Sequence, residues 1–463
     1  MELSNTQIIT AVLAVLVTMA PGVYAARKIK SAEDYAVGGR SSGVGMVAAA
    51  ILGTLIGGGS TMGTAQMAFN MGFTAWWFTL GAGIALLILG CFYARSLRTS
   101  GLTTVSEFLV TNFGPRAGIV ASLSASAGMF FSVVTSTLSV THVLCLIFGL
   151  QPWTAGIAIF VIVGCFVFFG GINGSSMVGY FKMGFIMLSI FVGGVISYIG
   201  MGGVSGMLDS FPAFPWFSLC GKGEGAAVMT LVSMVVGVIS TQSYAQAIFS
   251  AANTRCAALA CLIAGAITIP VGVPSILIGM FMRVHHPEIM SIEALPLFLV
   301  KYLPDWLGGL GIAALLLATL GTIAGLTLGI GTLFSRDIVK RFAGNMTGAQ
   351  FLMATRCGVA LACVAAIIFT NLNLDSNALD WSYLSMALRG SGIFLPLTFC
   401  VFFPHRVKPV YGLLSMAAGI FVGLTWKFIG IPGVHALIPA LTLNLVFLVG
   451  GMLRKDEGLR TKD

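Results

Sequence analysis

Charge is what this sequence has least of. Only 8% of its 463 residues are Asp, Glu, Lys or Arg, against about 25% in a soluble globular domain. A chain this poor in charge cannot cover itself with polar surface in water, which excludes a soluble enzyme or a soluble binding module. Metal-ligand spacing is missing too. The five histidines, His142, His285, His286, His405 and His435, form no ligand pattern, so a resident transition metal is not expected. The carboxylates fall almost entirely between apolar runs and offer no acid–base pair. No enzyme and no organic cofactor are expected. Eight of the nine cysteines lie in or beside apolar segments, and only Cys220 falls in an expected outer loop. They read as small buried hydrophobes, not as a disulfide framework. The first seven residues contain no Lys or Arg, and Arg27, Lys28 and Lys30 follow the first apolar run. That order predicts a retained helix with its N-terminus outside, not a cleaved signal.

What the chain does contain is apolar length. Hydrophobic residues make up 57% of it, glycines number 59, and the mean hydropathy is +0.99. Stretches long enough to cross a hydrocarbon layer of about 30 Å recur throughout. They predict thirteen spans, near 8–26, 45–69, 74–94, 117–149, 152–171, 178–200, 226–250, 257–282, 307–334, 357–372, 384–402, 409–428 and 434–453. The stretch at 357–372 is the shortest. The fold class expected is an all-α polytopic membrane protein whose first partner is the lipid bilayer.

The net charge of +9 would suit a nucleic-acid surface, but its distribution excludes one. Threaded from an outside N-terminus, the inner segments collect 18 of the 24 Lys and Arg residues. The outer segments receive Lys222, Arg283, Lys301 and Lys427, and only Lys182 and Arg389 fall within spans. This is the positive-inside bias of a membrane protein, and it leaves the C-terminus inside. The sequons at Asn173 and Asn345 then lie inside and carry no weight. The glycine spacing from Gly325 to Gly331 is a helix-packing pattern, since no strand precedes it.

Two spans carry their own interruptions. The second holds Gly57, Gly58, Gly59 and Ser60 at its middle; each glycine costs roughly 1 kcal/mol in a helix interior. The seventh holds a polar run from Ser240 to Gln246. In lipid, broken backbone survives only where it lines protein or a cavity. Breaks at matching places five spans apart point to an inverted-repeat transporter with its site between the halves.

Four motifs give this pattern a family likeness. Asp34-Tyr35-Ala36-Val37-Gly38-Gly39-Arg40 resembles the D-[YF]-x-x-[GA]-G-R signature of the sodium:solute symporter family. The stretch from Gly57 through Ala65 resembles that family's unwound first core helix, above all in its choline-transporter-like branch. Leu102 to Phe108 resembles the loop before span 4, and Ser335-Arg336-Asp337-Ile338 resembles the end of span 9. The likeness runs from about residue 30 to about residue 430. It implies a LeuT-type 5+5 inverted repeat: residues 1–44 an N-terminal extra helix and inner loop, 45–200 the first repeat, 201–225 an outer loop, 226–402 the second repeat, and 403–463 two extra helices with a basic tail. It also implies alternating access for a small organic solute, coupled to Na⁺.

By the same resemblance the ion site would use carbonyls at Gly53 and Ile56 and the face formed by Ala318, Gly321 and Thr322. Hard cations take oxygen ligands, and unwound carbonyls supply them. This chain departs from the pattern where it matters. Many members have a hydroxyl residue where Gly321 stands, and members often have an Asp close to the place of Lys182 or Met183. Two alternatives follow. The Lys182 ammonium takes over the ion's place, giving a proton-coupled or ion-independent transporter, or it snorkels to the inner headgroups. Solute contacts expected from the breaks are Ser60, Thr61, Gln66, Thr241, Gln242, Tyr244 and Gln246, although each also suits a helix–helix hydrogen bond. Trp stands at the positions of Leu55 and Thr241 in choline transporters of this branch, so choline itself is not expected. Arg389 lies within span 11, where a charge costs about 2.5–3.5 kcal/mol to insert. It would clamp a carboxylate or pair with Asp375 or Asp380 at an outer gate. A channel or a sensor on the same fold is the remaining reading.

Overall fold

The computed structural model describes residues 3–26, 40–340, 346–429 and 436–460. The Asp34–Gly39 part of the first motif, the basic residues 27, 28 and 30, Arg341, Asn345 and His435 lie outside them. The described residues are helical with short connections, and their one isolated β-bridge joins Ser42 to Ala251. In chain order the helices are α1 (Asn5–Ala26), α2 (Val44–Leu55), α3 (Thr64–Met71), α4 (Trp77–Ile88), α5 (Ala94–Thr99), α6 (Val105–Phe113), α7 (Pro115–Phe148) and α8 (Pro152–Gly200). After α9 (Gly203–Ser210) come α10 (Glu224–Ile239), α11 (Gln242–Ser250), α12 (Thr254–His285), α13 (Ala294–Lys301), α14 (Asp305–Leu333), α15 (Gly348–Asn371), α16 (Ala378–Phe402), α17 (Pro409–Ile429) and α18 (Leu437–Arg460).

By length and apolarity alone, seven helices of the described residues cross a membrane, or eight when the bent pair α10–α11 counts as one span. Five shorter apolar helices accompany them. Burial sorts these into an interior and a rim. The best apolar window of α14 and its extension is 89% buried, and that of α7 is 72%. The window in the second part of α8 is 33% buried and that of α15 39%. The rim turns Ile8, Leu13, Ile157, Phe191, Leu361 and Phe421 outward. Lipid accepts such side chains without cost, because nothing apolar has to leave water.

One expectation about spans needs correction and two gain detail. The stretches expected at 152–171 and 178–200 fall in one 49-residue helical stretch, α8, whose two ends meet different helices: Gly156 lies against Ile367 of α15 and Gly200 against Phe281 of α12. The short span at 357–372 is a full 24-residue helix starting at Gly348. Arg356 ends the apolar run in sequence but not the helix, which begins with a capping box between Thr347 and Gln350. The expected outer loop 201–225 contains the short helix α9.

Both expected interruptions occur. Helix α2 stops at Leu55, and Ile56 adopts an extended conformation. The chain then turns through Gly57 and Gly58 into a π-helical turn over Gly59–Gly63 before α3 continues. Glycine is required here by close approach. A Cβ on Gly57 would lie 2.1 Å from Thr322 Oγ1, and one on Gly58 2.6 Å from Ser139 Oγ. In the seventh span, α10 and α11 meet at a 45° bend across Ser240 and Thr241.

Candidate functional site

The break after α2 leans on α14. The carbonyl of Gly53, in the last turn of α2, and the carbonyl of Ala318, in the middle of α14, converge on the Lys182 ammonium from α8. Lys182 Nζ donates to Gly53 O and, at 3.2 Å, to Ala318 O. The side chain is 1% exposed, so it does not reach the headgroups. Ala318 O also accepts from Thr322 Oγ1 at 3.1 Å. Gly321 provides the room: a Cβ there would sit 2.6 Å from Lys182 Nζ. Four of the expected ion-site positions, Gly53, Ala318, Gly321 and Thr322, thus meet around one lysine. The fifth, Ile56, caps α2 and donates its amide to Leu52 O at 2.8 Å.

Beside the break lies a small cavity of about 30 Å³. Its walls come from the break (Thr54, Gly57, Gly59), from α7 (Ser132, Thr135, Ser136), from α16 (Ser382, Met386, Arg389), and from Phe78, Tyr244, Thr322 and Leu326. Arg389 is 1% exposed. Its Nη2 donates to Ser132 Oγ at 3.2 Å and lies 2.9 Å from the Met386 sulfur. Asp380 does not pair with it; that carboxylate accepts from Asn377 Nδ2 at 3.2 Å.

The expected solute contacts divide sharply. Tyr244 and Arg389 line the cavity. Ser60 and Thr61 spend their hydroxyls on the broken backbone: Ser60 Oγ accepts from Gly57 N at 2.9 Å, and Thr61 Oγ1 donates to Gly57 O at 2.8 Å. Thr241 Oγ1 donates back one turn to Gly237 O at 2.7 Å. Gln66 Oε1 accepts from Ala378 N at 3.3 Å. Gln246 is buried, in α11, and does not line the cavity. The residues not anticipated are Ser132, Thr135 and Ser136, and Ser382. The first three follow i, i+3, i+4 spacing on α7, which puts them on one face. That polar stripe was the available signal.

Gln242 serves a second assembly at the end rich in basic residues. Its Oε1 accepts from Val105 N at 2.9 Å and its Nε2 donates to Thr103 O at 3.3 Å. Thr104 caps α6 in a capping box with Glu107. Glu107 Oε1 in turn accepts from Arg336 Nε at 2.5 Å. The neighbouring Asp337 accepts from Ser122 Oγ at 2.7 Å and from Thr104 Oγ1 at 3.3 Å. Arg98 adds donations to Ala251 O and Ala252 O, just beyond α11. These contacts tie the loop before α6, the end of α14 and the broken seventh span into one clasp.

No group of His, Cys, Asp and Glu among the described residues could hold a metal ion. The arrangement has two discontinuous helices facing a buried polar cavity, which is the architecture of a solute carrier. Comparison with known proteins agrees. The human high affinity choline transporter 1 is 22% identical over 442 residues, covering 89% of this chain and 75% of its own length. A Drosophila melanogaster counterpart is likewise 22% identical, and the chain spans 66% of its length. The sodium/sialic acid symporter NanT of Aliivibrio fischeri is 24% identical, with 78% and 75% covered. Among solved structures, a substrate-bound, outward-open Na⁺-coupled sialic acid symporter superposes with a TM-score of 0.82 at 17% identity, covering 98% of both chains. A nucleobase-cation-symport-1 transporter reaches 0.58 at 15% identity, covering 92% and 94%. These likenesses give the fold, that of a LeuT-type carrier. The model of the sodium:solute symporter family matches residues 35–419, most of the chain, and this protein belongs to that family as a secondary active symporter of a small solute.

Proposed function

We propose that this symporter carries its coupling charge on Lys182 in place of a bound Na⁺, and that protons drive it. The observation that supports this is the set of partners around the ammonium: Gly53 O, Ala318 O and the space left by Gly321. The two carbonyls are the oxygen ligands a hard cation needs, and the ammonium already uses both. Na⁺ is the family's usual coupling ion, but it would have to displace a tethered cation here. A lysine also does what a bound Na⁺ cannot: it stays attached and exchanges a proton. Its surroundings supply no competing base. The helices that provide its acceptors, α2 and α14, carry no titratable side chain except Asp305, in the first turn of α14.

On this reading the helices from α2 to the end of α8 and those from α10 to α16 are the two inverted repeats, and α1, α17 and α18 are additions. The basic clasp faces the cytoplasm, with the N-terminus outside and the C-terminus inside, in a prokaryotic cytoplasmic membrane. The clasp among Gln242, Thr104, Glu107 and Asp337 is the inner gate in its closed position.

The test is thermal unfolding of the purified protein in Na⁺, K⁺ and choline chloride at matched ionic strength, from pH 5.5 to 8.5. A ligand that binds only the folded state raises the midpoint by mass action. Expected is no Na⁺ effect, with a pH dependence that Lys182→Ala removes. Selective stabilisation by Na⁺, unchanged in Lys182→Ala, would falsify the proposal.

A further inference from the structure

The cavity contains a second buried cation whose needs are not met. Arg389 has five N–H donors. Its Nη2 finds only the neutral Ser132 hydroxyl and the Met386 sulfur. Its Nε and Nη1, which carry three of the five donors, have no hydrogen-bond partner among the described residues. None of the residues lining the cavity is acidic. A guanidinium that is desolvated and unpaired is costly to keep. The charge is compensated if the anion arrives with the cargo.

We infer that the solute is a small organic acid whose carboxylate docks on Arg389. The inference rests on the transporter reading, and it names the substrate class of that same cavity. Carboxylate is the chemistry that a guanidinium fork matches in both shape and charge. A single unspent cation calls for a single negative charge, since Lys182 has already placed its donors on two carbonyls. Thr135 and Ser382 line one side of the cavity with their hydroxyls already engaged, Ser382 Oγ donating to Thr135 Oγ1 and Thr135 Oγ1 to Ala378 O, both at 3.1 Å, and Phe78 and Leu326 offer apolar surface; the anion-binding donors are those of Arg389. A cavity of about 30 Å³ holds a water or two. It must widen to admit cargo, and it fits a short acid better than a long one. A quaternary ammonium would set a second cation beside the first with no aromatic cage to hold it.

The test uses the intact purified protein in detergent, with N-methylglucamine as the only cation and chloride held constant. Acetate, pyruvate, propionate and 3-hydroxybutyrate are compared with acetamide and propionamide, which match two of them in size without the charge. Thermal stabilisation and equilibrium dialysis report binding. At least one acid is expected to bind tenfold more tightly than its amide. Arg389→Gln should abolish that preference, and Arg389→Lys should retain a weakened one. The acid–amide comparison in the wild-type protein stands even if a variant fails to fold. Failure of every acid to bind, equal binding of acid and amide, or a preserved preference in folded Arg389→Gln overturns the inference. Failure of the Lys182 reading looks different: Na⁺ then stabilises the protein while the acid preference stays intact. An acid that binds but is not accumulated by proteoliposomes under any imposed gradient would sink the transport reading and leave the Arg389 site standing.

Discussion

Among the described residues Lys182 and Arg389 are the two buried Lys or Arg side chains, each 1% exposed, yet they are in opposite condition. The ammonium has two acceptors that the fold provides and one glycine that makes space for it. The guanidinium has one hydroxyl and a sulfur, with two nitrogens idle. The first has its donors met by the fold, which seats the proposed coupling charge between α8, α2 and α14. The second is a binding group held ready by the scaffold. Burial alone, or charge within a span alone, does not distinguish these roles. The count of satisfied donors does.

Substitutions can break or sharpen this contrast. The largest effect is expected from Lys182→Met. It strips the lysine donor from Gly53 O, at about 1–3 kcal/mol for a buried carbonyl left unpaired, and one of two side-chain donors from Ala318 O, which keeps Thr322 Oγ1. The unfolding midpoint of the unliganded protein should fall by several degrees in a melting scan. Gly321→Ala comes next. Its methyl would lie 2.6 Å from Lys182 Nζ. Only the tip of a flexible chain has to yield, so about 1 kcal/mol is expected, the low end for overpacking. The same melting scan checks it, and the double variant Lys182→Met/Gly321→Ala should show no further loss from the glycine change. The smallest effect on stability is expected from Arg389→Met. Replacing an uncompensated buried charge by an apolar side chain is often neutral or stabilising, so the midpoint should stay or rise while any stabilisation by organic acids disappears. If Arg389→Met melts as early as Lys182→Met, the two cations are not different in kind and the contrast fails.

The sequence made the framework legible for physical reasons that can be traced to particular residues. Three consecutive glycines in an apolar run mark a break, because nothing else explains the helical propensity they forfeit. Helix α2 does end at that point. The ion-site positions converge although Gly53, Lys182 and Ala318 are far apart in the chain, and Gly321 is vacant where an ammonium needs space. Much of the cavity wall was not legible. A serine or threonine in a membrane helix has two destinations, its own backbone one turn back or the cavity. Thr61 and Thr241 took the first, whereas Ser132 and Ser382 face the second. Their neighbours in sequence look alike. Gln242 illustrates the same limit at longer range, since its partners Thr103 and Val105 come from a loop more than a hundred residues earlier. Extents were legible only where polarity changes at a helix end, which is why Arg356 concealed the start of α15.

The clasp at the basic end has a consequence for inheritance. Two of the motifs by which kinship is read, Leu102–Phe108 and Ser335–Ile338, grip each other through Glu107, Arg336, Thr104 and Asp337. Neither reaches the central cavity. A lineage can therefore change its cargo by altering a few side chains on α7 and α16 without disturbing the words that spell its ancestry. On the readings proposed above, what this molecule shares with choline and sialic acid carriers bears on how it closes, while what it carries is set elsewhere, around Arg389.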